Sequence, residues 1–353
     1  MSKLFEGKRI LITGGTGSLG KTLVRRLLGG SEGRPARIVV LSRDEAKQHQ
    51  MRVDYHNLRS PTDEVIYDNF HRLLQFQVGD VRDYATVEMA LRDIDIVIGA
   101  AALKQVPTCE YFPFEAIQTN VLAAVNIVTA IARQQLPVET IVGVSTDKAV
   151  LPVNVMGMTK ALQERTLISA QMKLPHTRVV VVRYGNVLAS RGSVIPLFQQ
   201  QIAAGGPVTI TDERMTRFLL GLPEAVDAIF KAVREGRRGE IYVPKIGAAR
   251  IVDIASAMIG DRGIPITTTG IRPGEKLHEV LISGAEAART EDCGAYYAVK
   301  SILPEVDSDP IVCPVEFSEY SSDISPMSKE QVSELLESRG LMASPPSHGE
   351  VLA

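Results

Sequence analysis

The sequence predicts an α/β protein whose core is a doubly wound parallel β-sheet, with a smaller lobe toward the C-terminal end. Short apolar runs rich in Val, Ile and Leu recur up to about residue 186, and stretches with apolar residues at helical spacing separate them. The first apolar run leads directly into a glycine-rich turn, residues 14–20. Strands that alternate with helices in this way indicate βαβ units and a parallel sheet covered on both faces.

The individual elements follow from these two periodicities. The apolar, β-branched runs that predict buried strands are residues 9–12, 38–41, 73–78, 94–101, 140–144 and 178–183. The stretches that predict helices are residues 21–28, 116–133 and 164–172. Later in the chain, glycines and prolines separate shorter elements, and we predict helices at 223–233 and 252–259 and a loop at 272–276.

We expect two structural units in the 353-residue chain, because a domain contains about 150 residues. Residues 1–186 should form the sheet domain, and residues 187–343 should form the smaller lobe, with chain crossings between the two allowed. Residues 344–353, which begin Ser-Pro-Pro-Ser-His-Gly, should form a disordered tail.

Composition excludes several classes of protein. Hydrophobic residues make up 45% and charged residues 23%, which is typical of a globular chain and excludes disorder, collagen and coiled coil. The formal net charge of −2 gives no bulk attraction to nucleic acid or an anionic membrane. No run of 18 apolar residues is present, so we expect no membrane-spanning helix. Cys109, Cys293 and Cys313 are an odd number without a CxxC motif, which predicts a cytoplasmic protein without disulfides or a metal site.

The glycine-rich turn indicates a dinucleotide site. Gly14, Gly17 and Gly20 lie between a predicted strand and a predicted helix, with GxxGxxG spacing. Glycines allow a tight turn and bring a phosphate against the N–H groups at the helix N-terminus. A plain βα turn is the alternative, but the strand–turn–helix context favours a Rossmann-type, NADP-binding domain over residues 1–186.

The end of the second strand indicates which dinucleotide is preferred. An NAD site usually carries an acid there, whereas this chain has Ser42-Arg43-Asp44, with Lys47 a turn later. A hydroxyl and a cation suit a 2′-phosphate, which favours NADP, although a solvated charge run is the alternative. Asp80, at the end of the third strand, is placed to accept a hydrogen bond from the adenine amine.

Two further groups carry candidate chemistry. Thr146-Asp147-Lys148 follows the fifth strand, where ligands bind in open α/β sheets, and an acid beside a base can donate and accept protons on one substrate. A surface ion pair is the alternative reading. Lys160 begins the next helical pattern, where it could reach a nicotinamide ribose, unless it is simply a solvated helix lysine.

Together these residues resemble the extended short-chain dehydrogenase/reductases. Six blocks narrow the resemblance, over roughly residues 5–340, to the nucleotide-sugar 4,6-dehydratases of polysaccharide biosynthesis that act on UDP-N-acetylglucosamine. These blocks are residues 100–107 (AAALKQVP), 145–149 (STDKA), 183–187 (RYGNV), 190–194 (SRGSV), 215–218 (MTRF) and 272–276 (RPGEK).

The resemblance implies a set of binding residues. The cofactor would be NADP, held by Gly14, Thr16, Gly17, Ser18, Leu19, Gly20, Ser42, Arg43, Lys47, Asp80, Val81, Ala100, Ala101, Ala102, Lys104, Asn120, Lys160, Tyr184 and Asn186. The substrate would be held in the smaller, substrate-binding lobe and at its border by Lys104, Asn186, Val194, Arg217, Arg272 and Glu275. The resemblance also implies a homo-oligomer, a dimer or larger.

The resemblance further implies a lyase mechanism. Oxidation at sugar C4 by bound NADP⁺ acidifies the C5 proton; Lys148 removes that proton, Asp147 protonates the leaving 6-hydroxyl, and a hydride returns to C6. Thr146 would bind the C4 oxygen, and Lys160 would hold the nicotinamide ribose. For Lys148 to act as a base near neutrality, we expect burial and nearby Lys160 to lower its pKa.

One residue departs from the superfamily pattern. The usual active-site motif is YxxxK, and the position of its tyrosine is Met156 here, a side chain that cannot donate or accept a proton. Some dehydratases similar to this chain also carry methionine there. The C4 hydroxyl proton would then leave through Asp147, Thr146 or water.

Three alternatives to an inverting dehydratase remain open. Residues 239–245 and 270–279 resemble the enzymes that invert C5, which we favour, whereas residues 154–157 resemble the retaining ones equally well. A UDP-sugar 4-epimerase shares the fold and the first oxidation but lacks the acid–base pair. A non-catalytic NADP-binding sensor is supported only by Met156.

Overall fold

The computed structural model describes residues 3–57, 64–188, 193–307 and 309–342. The expected tail at 344–353 lies outside the described residues, as do residues 190–192 of one sequence block. Within the described part, the strands are β1 (Arg9–Thr13), β2 (Arg37–Ser42), β3 (Leu74–Val78), β4 (Ile96–Gly99), β5 (Thr140–Thr146), β6 (Arg178–Tyr184), β7 (Asn186–Val187), β8 (Val208–Ile210), β9 (Thr216–Leu220), β10 (Ile241–Pro244), β11 (Ala248–Arg250), β12 (Ile266–Thr268), β13 (Val280–Ile282), β14 (Thr290–Asp292), β15 (Tyr296–Val299) and β16 (Tyr320–Ser321).

The helices in the described residues follow the predicted alternation. They are α1 (Ser18–Gly29), α2 (Glu45–His56), α3 (Glu64–Leu73), α4 (Tyr84–Ala90), α5 (Val106–Tyr111), α6 (Pro113–Ala116), α7 (Ala123–Gln134), α8 (Val155–Ala170), α9 (Val194–Ala203), α10 (Leu222–Glu235), α11 (Ile251–Ile259), α12 (Gly284–Ala287) and α13 (Lys329–Ser338). A π-helical segment, Ile117–Leu122, joins α6 to α7, and a 3₁₀ turn, Asp147–Ala149, follows β5.

The described strands form a nine-stranded central sheet in the order β14-β15-β10-β6-β5-β4-β1-β2-β3. Pairing is parallel from β10 to β3, and β15 pairs antiparallel with both β10 and β14. Alternate residues of each strand enter opposite cores: Ile10 and Ile12 pack with α1, α2, α3 and α10, whereas Leu11 packs with α4, α7 and α8. This confirms the predicted α/β fold with a sheet covered on both faces.

The smaller part of the molecule has its own apolar core. Buried residues of α9, α11 and α13 pack together with residues of β8 and β9. The chain does not stay there, because β10, β14 and β15 return to the central sheet. Residues after 186 therefore contribute both to the central sheet and to the smaller part, and a cut at 186 does not separate the two.

Two predicted boundaries shift for local reasons. The helix predicted from residue 164 begins at Val155, because the Asn154 side chain caps it by accepting a 2.8 Å hydrogen bond from Gly157 N. The strand predicted over 94–101 is β4, which ends at Gly99. Beyond it, Ala101 N donates a hydrogen bond to Thr13 Oγ1 instead of continuing the strand ladder.

The helical stretch Pro113–Gln134 qualifies by length and composition as a possible membrane span. Half of its most apolar window is buried inside the protein, where Ile127 and Ile131 pack against the central sheet. A core helix meets the same criteria, so this stretch is weak evidence for a span. The sequence-based expectation of no membrane-spanning helix stays a prediction.

Candidate functional site

The glycine-rich turn forms a close junction between β1 and α1. Gly14 has a φ of 70°, and a Cβ there would come within 2.8 Å of the Ala101 backbone. A Cβ at Gly20 would come within 2.4 Å of the Gly15 backbone. Gly17 is the N-cap of α1; no described side chain caps this helix, and its first turn carries no acid. The first N–H groups of α1 are therefore not capped by a described side chain, which suits the binding of a dinucleotide pyrophosphate at this helix N-terminus.

The carboxyl end of β2 brings the predicted NADP-selecting residues together. Thr16 Oγ1 lies 3.1 Å from Ser42 Oγ, which ties the glycine-rich turn to this strand end. The Arg43 guanidinium is 57% exposed and lies 3.9 Å from the Asp80 carboxylate. The Lys47 ammonium is paired with Asp44, which also caps α2. Ser42 and Arg43 are thus placed at one edge, while the charge of Lys47 is already balanced.

Asp80, the residue predicted to bind the adenine amine, is paired with Arg82 in this structure. Arg82 donates to its carboxylate through Nε at 2.9 Å and through a second guanidinium nitrogen at 2.7 Å. Burial acts to raise the pKa of Asp80, but the hydrogen bonds and charge of Arg82 outweigh it, and the pKa lies below its usual value. The predicted contact with the adenine amine would share this carboxylate with Arg82. Val81, beside it, is buried.

Asn120, predicted to bind the cofactor, binds the backbone of Leu103 and the side chain of Thr159 in this structure; its contact with a cofactor stays a prediction. Its amide accepts from Leu103 N at 2.8 Å and donates to Leu103 O at 3.0 Å and to Thr159 Oγ1 at 2.9 Å. It is 1% exposed, in the π-helical segment. Asn120 therefore fixes the loop that follows β4, with Ala100, Ala101 and Ala102, and its amide is directed at the protein rather than at the cleft.

The predicted acid–base pair lies at the carboxyl end of β5. Asp147 is fully buried; its Oδ1 accepts from Thr146 Oγ1 at 2.8 Å and from Lys148 Nζ at 3.0 Å. Its Oδ2 is buried and has no hydrogen-bond partner among the described residues. A buried, unpaired carboxylate oxygen is costly, and such groups cluster at functional sites.

Lys148 Nζ donates hydrogen bonds to Asp147 and Asn186 and forms an ion pair with Glu279. Besides Asp147, its Nζ lies 3.1 Å from Asn186 Oδ1 and 3.2 Å from Glu279 Oε1. Burial acts to lower the pKa of Lys148, but the carboxylates of Asp147 and Glu279 outweigh it and raise the pKa above its usual value. The prediction of a lowered Lys148 pKa is therefore wrong for this structure, because sequence reasoning did not include the second carboxylate.

The pKa of Lys160 is lowered, as are those of Lys104 and Lys276, in each case because desolvation disfavours the ammonium. Burial brings the pKa of Lys160 to about 8, although nearby Glu164 acts in the opposite direction. Its ammonium donates to Val144 O and Gln163 Oε1, and the residue is 5% exposed. In this arrangement Lys160 is directed at the end of β5, and contact with a nicotinamide ribose would require it to exchange one of these partners.

Met156 is part of a small apolar cluster. It is 4% exposed and packs with Cys109 and Ala116. Partly buried side chains of Leu103 and Val106 complete this contact. Met156 therefore fills space under the site, as the absence of a titratable group at this position suggests.

Arg217, predicted to bind a substrate phosphate, is directed at backbone carbonyl groups in this structure; its contact with a phosphate stays a prediction. Its guanidinium donates to the carbonyl oxygens of Thr216, Lys276 and Leu277, and it is 7% exposed. Its Nε lies 3.8 Å from Glu279 Oε1. Most of its donors are thus used to hold the segment that carries Glu279, so the structure assigns Arg217 an organising role at this border.

The other predicted substrate residues lie on the 272–276 loop and near the starts of α5 and α9. Arg272 is exposed on the 272–276 loop, and Arg272 O accepts from Glu275 N at 3.1 Å. Asn154 at the start of α8 donates a 2.7 Å hydrogen bond to Gly274 O, which docks this loop beside the site. Lys104 is exposed and lies just before α5. Val194 is partly buried and is the first residue of α9. Tyr184, at the end of β6, is buried, and burial raises the pKa of its phenol.

Glu279 is the site residue that sequence reasoning missed. It is 2% exposed, its Oε2 has no hydrogen-bond partner among the described residues, and its backbone is held by Ser322. The available signal was an acid directly before an apolar run, Val280-Leu281-Ile282. Among the described residues, no group of three or more His, Cys, Asp or Glu is arranged to hold a metal ion.

Comparison with known proteins agrees with this geometry. Residues 10–301 match the polysaccharide biosynthesis protein family. A protein of Rickettsia prowazekii (strain Madrid E) named UDP-glucose 4-epimerase is 43% identical over 302 residues, 84% of each chain.

Two solved structures support the fold. Pen from Bacillus thuringiensis superposes with a TM-score of 0.84 at 31% identity, over 96% of this chain and 99% of that one. DesIV from Streptomyces venezuelae, a dTDP-glucose 4,6-dehydratase with NAD and TYD bound, has a TM-score of 0.64 at 21% identity, over 76% and 86% of the two chains. The chain therefore belongs to the polysaccharide biosynthesis protein family, an extended short-chain dehydrogenase/reductase in the nucleotide-sugar dehydratase and epimerase group.

Proposed function

We propose that this protein is a UDP-N-acetylglucosamine 4,6-dehydratase that uses NADP, inverts C5 and serves surface polysaccharide synthesis in the cytoplasm. The observation that carries the proposal is the pair of buried Asp147 and partly buried Lys148 at the carboxyl end of β5, with 3.0 Å between Oδ1 and Nζ. A C4 epimerisation needs no acid and base directed at C5 and O6, whereas a dehydration needs both.

The residues present fit a nicotinamide dinucleotide. Gly14, Gly17 and Gly20 would admit its pyrophosphate at the N-terminus of α1, and Ser42 and Arg43 would face its adenosine ribose. When bound, this cofactor supplies the acceptor for a hydride from C4 and the donor that returns it to C6. The NAD bound to DesIV supports a nicotinamide cofactor here.

The chain's own residues supply the proton transfers. We expect Thr146, the last residue of β5, to bind the C4 oxygen; its hydroxyl donates a 2.8 Å hydrogen bond to Asp147 Oδ1, which supports this role. Asp147 protonates O6 as water leaves, and Lys148 removes the C5 proton. Lys148 must first lose a proton of its own, because the two carboxylates beside it hold it as an ammonium.

We also propose that the protein is a homo-oligomer. Large apolar side chains are exposed around α5–α7 and α8, among them Tyr111, Phe114 and Leu162, at 82%, 65% and 54% exposure. Exposed apolar residues that cluster on one face are typical of an interface. Sedimentation of the wild type, compared with Phe114→Asp, tests this; an unchanged sedimentation coefficient would count against this face.

The test of the reaction is incubation of the wild type with UDP-N-acetylglucosamine in deuterated water, followed by NMR. We expect a 4-keto-6-deoxy product with deuterium at C5 and inverted C5 configuration. Lys148→Ala should block C5 exchange while some C4 oxidation survives. Retained C5 configuration would support the retaining alternative, and normal exchange in Lys148→Ala would assign the base to another residue.

The cofactor preference has its own test. Arg43→Ala should weaken NADP binding by about 1.5–3 kcal/mol, the usual contribution of a charge-assisted contact, and leave NAD binding nearly unchanged. Isothermal titration with each cofactor measures both values. Equal losses would show that Arg43 does not read the 2′-phosphate.

A UDP-sugar 4-epimerase is the second candidate, because curated relatives at 43% identity carry the name UDP-glucose 4-epimerase. Its product would be a simple C4 epimer without deuterium at C5, and the same NMR experiment detects it. A wild type that converts no UDP-hexose at all would favour the non-catalytic sensor.

A further inference from the structure

The border between the central sheet and the smaller part contains a carboxylate to which the proposed mechanism gives no task. Glu279 lies directly before β13, and it is 2% exposed. Its Oε1 is 3.2 Å from Lys148 Nζ, and its Oε2 is buried without a partner among the described residues. Burying a carboxylate with one unsatisfied oxygen is expensive, so the fold retains Glu279 at a cost to its stability.

Lys148 needs a proton acceptor for the proposed reaction. The amine can remove the C5 proton only in its neutral form, and Asp147 must hold a proton to protonate O6. When C4 is oxidised, its hydroxyl proton can reach Asp147 through Thr146, whose hydroxyl donates to Asp147 Oδ1 at 2.8 Å. Asp147 is then already protonated and cannot also accept the proton of Lys148. A second carboxylate within reach allows both groups to be ready at once.

We propose that Glu279 is a positioning residue that takes the proton of Lys148, so that Lys148 acts on C5 as a neutral amine while Asp147 keeps the proton meant for O6. This inference rests on the proposed dehydratase function. It gives the smaller part of the molecule a direct share in the acid–base chemistry at the end of β5.

The charges that face Glu279 support this role. Asp147, Lys148, Arg217 and Lys276 surround it. Burial and the neighbouring Asp147 raise the pKa of Glu279 above its usual value, although the three cations act in the opposite direction. The adjacent His278 is turned away, with its Nδ1 2.8 Å from Thr216 Oγ1. A carboxyl with a raised pKa is a better proton acceptor for an ammonium than an ordinary surface glutamate.

The proton balance closes in two steps. First, an Nζ–H bond of Lys148 breaks and an O–H bond forms on Glu279. Second, Lys148 takes the proton of C5, the C5–H electron pair forms the C5–C6 double bond, and the C6–O6 bond breaks as Asp147 gives its proton to O6. The proton that Asp147 gives to O6 came from the C4 hydroxyl and leaves in the water. A hydride then returns to C6, and C5 takes up one proton in place of the one that Lys148 removed and then releases. Lys148 finally recovers its own proton from Glu279, so the site returns to its starting state without a further reagent.

Glu279→Gln tests the proposal, because glutamine keeps the shape and an acceptor oxygen but cannot take a proton. We expect C5 exchange to fall at least about 10-fold, while C4 oxidation, followed as cofactor absorbance in a single turnover, stays near the wild-type rate. Glu279→Asp should recover part of the exchange. A purely electrostatic role predicts the opposite sign: loss of the negative charge would lower the Lys148 pKa and speed exchange at low pH.

The matched control is Glu286→Gln, which neutralises a buried carboxylate that binds Arg183 rather than Lys148. It should lower stability without shifting the pH profile of C5 exchange. Infrared difference spectra of the ligand-free protein give a second measurement. A protonated-carboxyl band should persist above the usual glutamate pKa of about 4.3, lose intensity in Glu279→Gln and keep its intensity in Glu286→Gln.

Two results would overturn the proposal: C5 exchange in Glu279→Gln at or above the wild-type rate, or no loss of carboxyl-band intensity in Glu279→Gln. The band is compared by intensity because burial also raises the pKa of Glu240. Failure of the proposed function appears separately, in the wild type. A wild type that makes only a C4 epimer would remove the dehydratase assignment, whereas a wild type that dehydrates with an indifferent Glu279→Gln would remove this inference alone.

Discussion

Two buried ion clusters lie near the same strand ends, and each places one cation between two carboxylates. In the first, Arg183 binds Glu164 and Glu286, and its remaining donor binds Leu281 O. All five N–H groups of the guanidinium are used in this way. In the second, Lys148 binds Asp147 and Glu279, and each carboxylate keeps one buried oxygen without a partner among the described residues.

The two clusters differ in whether their polar atoms all have partners, and this difference suggests a structural role for the first and a reactive role for the second. Removing one partner from a cluster in which every hydrogen bond is made lowers the stability of the protein strongly, because it leaves a buried charge without a counter-ion. An unsatisfied cluster has spare acceptors that a substrate or a moving proton can use. The Arg183 cluster therefore joins the central sheet to the β13 segment. In our proposal, the Lys148 cluster at the same junction carries out the proton transfers.

The largest expected effect is on stability, at Arg183. Arg183→Met should lower the free energy of unfolding by about 3–5 kcal/mol, because it leaves two buried carboxylates without their cation. Urea denaturation measures the change. Arg250→Met, which removes a half-exposed arginine paired with Asp253, is the control and should cost less than about 1 kcal/mol. Similar losses at the two positions would break the comparison.

The next effect is on catalysis, at Asp147. Asp147→Asn should keep the fold and cofactor binding but slow dehydration by roughly 100-fold or more, as expected for loss of a general acid. Its free energy of unfolding should change less than that of Arg183→Met, because asparagine keeps the Oδ1 acceptor for Thr146 and Lys148 and because Glu279 still balances the charge of Lys148. Product formation by NMR and urea denaturation give the two values. A variant that is unstable yet active would show that Asp147 stabilises the fold, as the carboxylates of the Arg183 cluster do, and is not the general acid.

A third effect concerns pH, because the pKa of Glu286 in the Arg183 cluster is lowered whereas that of Glu279 in the Lys148 cluster is raised. Burial acts to raise the pKa of Glu286, but Arg183 outweighs it and lowers the pKa from 4.5 to about 2. A lowered pKa contributes stability above the unfolded-state value, and this contribution is lost as pH falls toward the folded-state value. The stability difference between wild type and Glu286→Gln should therefore shrink between about pH 4.5 and about pH 2, measured by denaturation at each pH. A constant difference would contradict the assigned ion pair.

The smallest effect is expected at Met156, which belongs to the apolar support of the site. Met156→Leu should keep turnover within about tenfold of the wild type, since swaps of similar volume usually cost less than about 1.5 kcal/mol. Met158→Leu, at a residue that is 48% exposed, serves as the control. An inert wild type that becomes active only as Met156→Tyr would instead support the binding-protein alternative.

The alternating strands and helices, the glycine-rich turn and the Thr146-Asp147-Lys148 group could be predicted from the sequence, because each depends on neighbouring residues. The protonation of Lys148 could not, because it depends on Glu279, which the chain brings to the site from far along the sequence. The same reason hid the inward direction of Arg217, whose acceptors are the carbonyls of Lys276 and Leu277. Local patterns identify reactive groups, and only the tertiary fold decides their charge.

The return of β10 and β15 to the central sheet also constrains how the protein is made. Until Ile241–Pro244 has left the ribosome, β6 has no neighbour on one side. Its row of buried valines, Val179 to Val182, would then form the exposed edge of an unfinished sheet. Such an edge pairs readily with other chains. We therefore expect chains that end before Ile241 to aggregate more readily than the full-length protein.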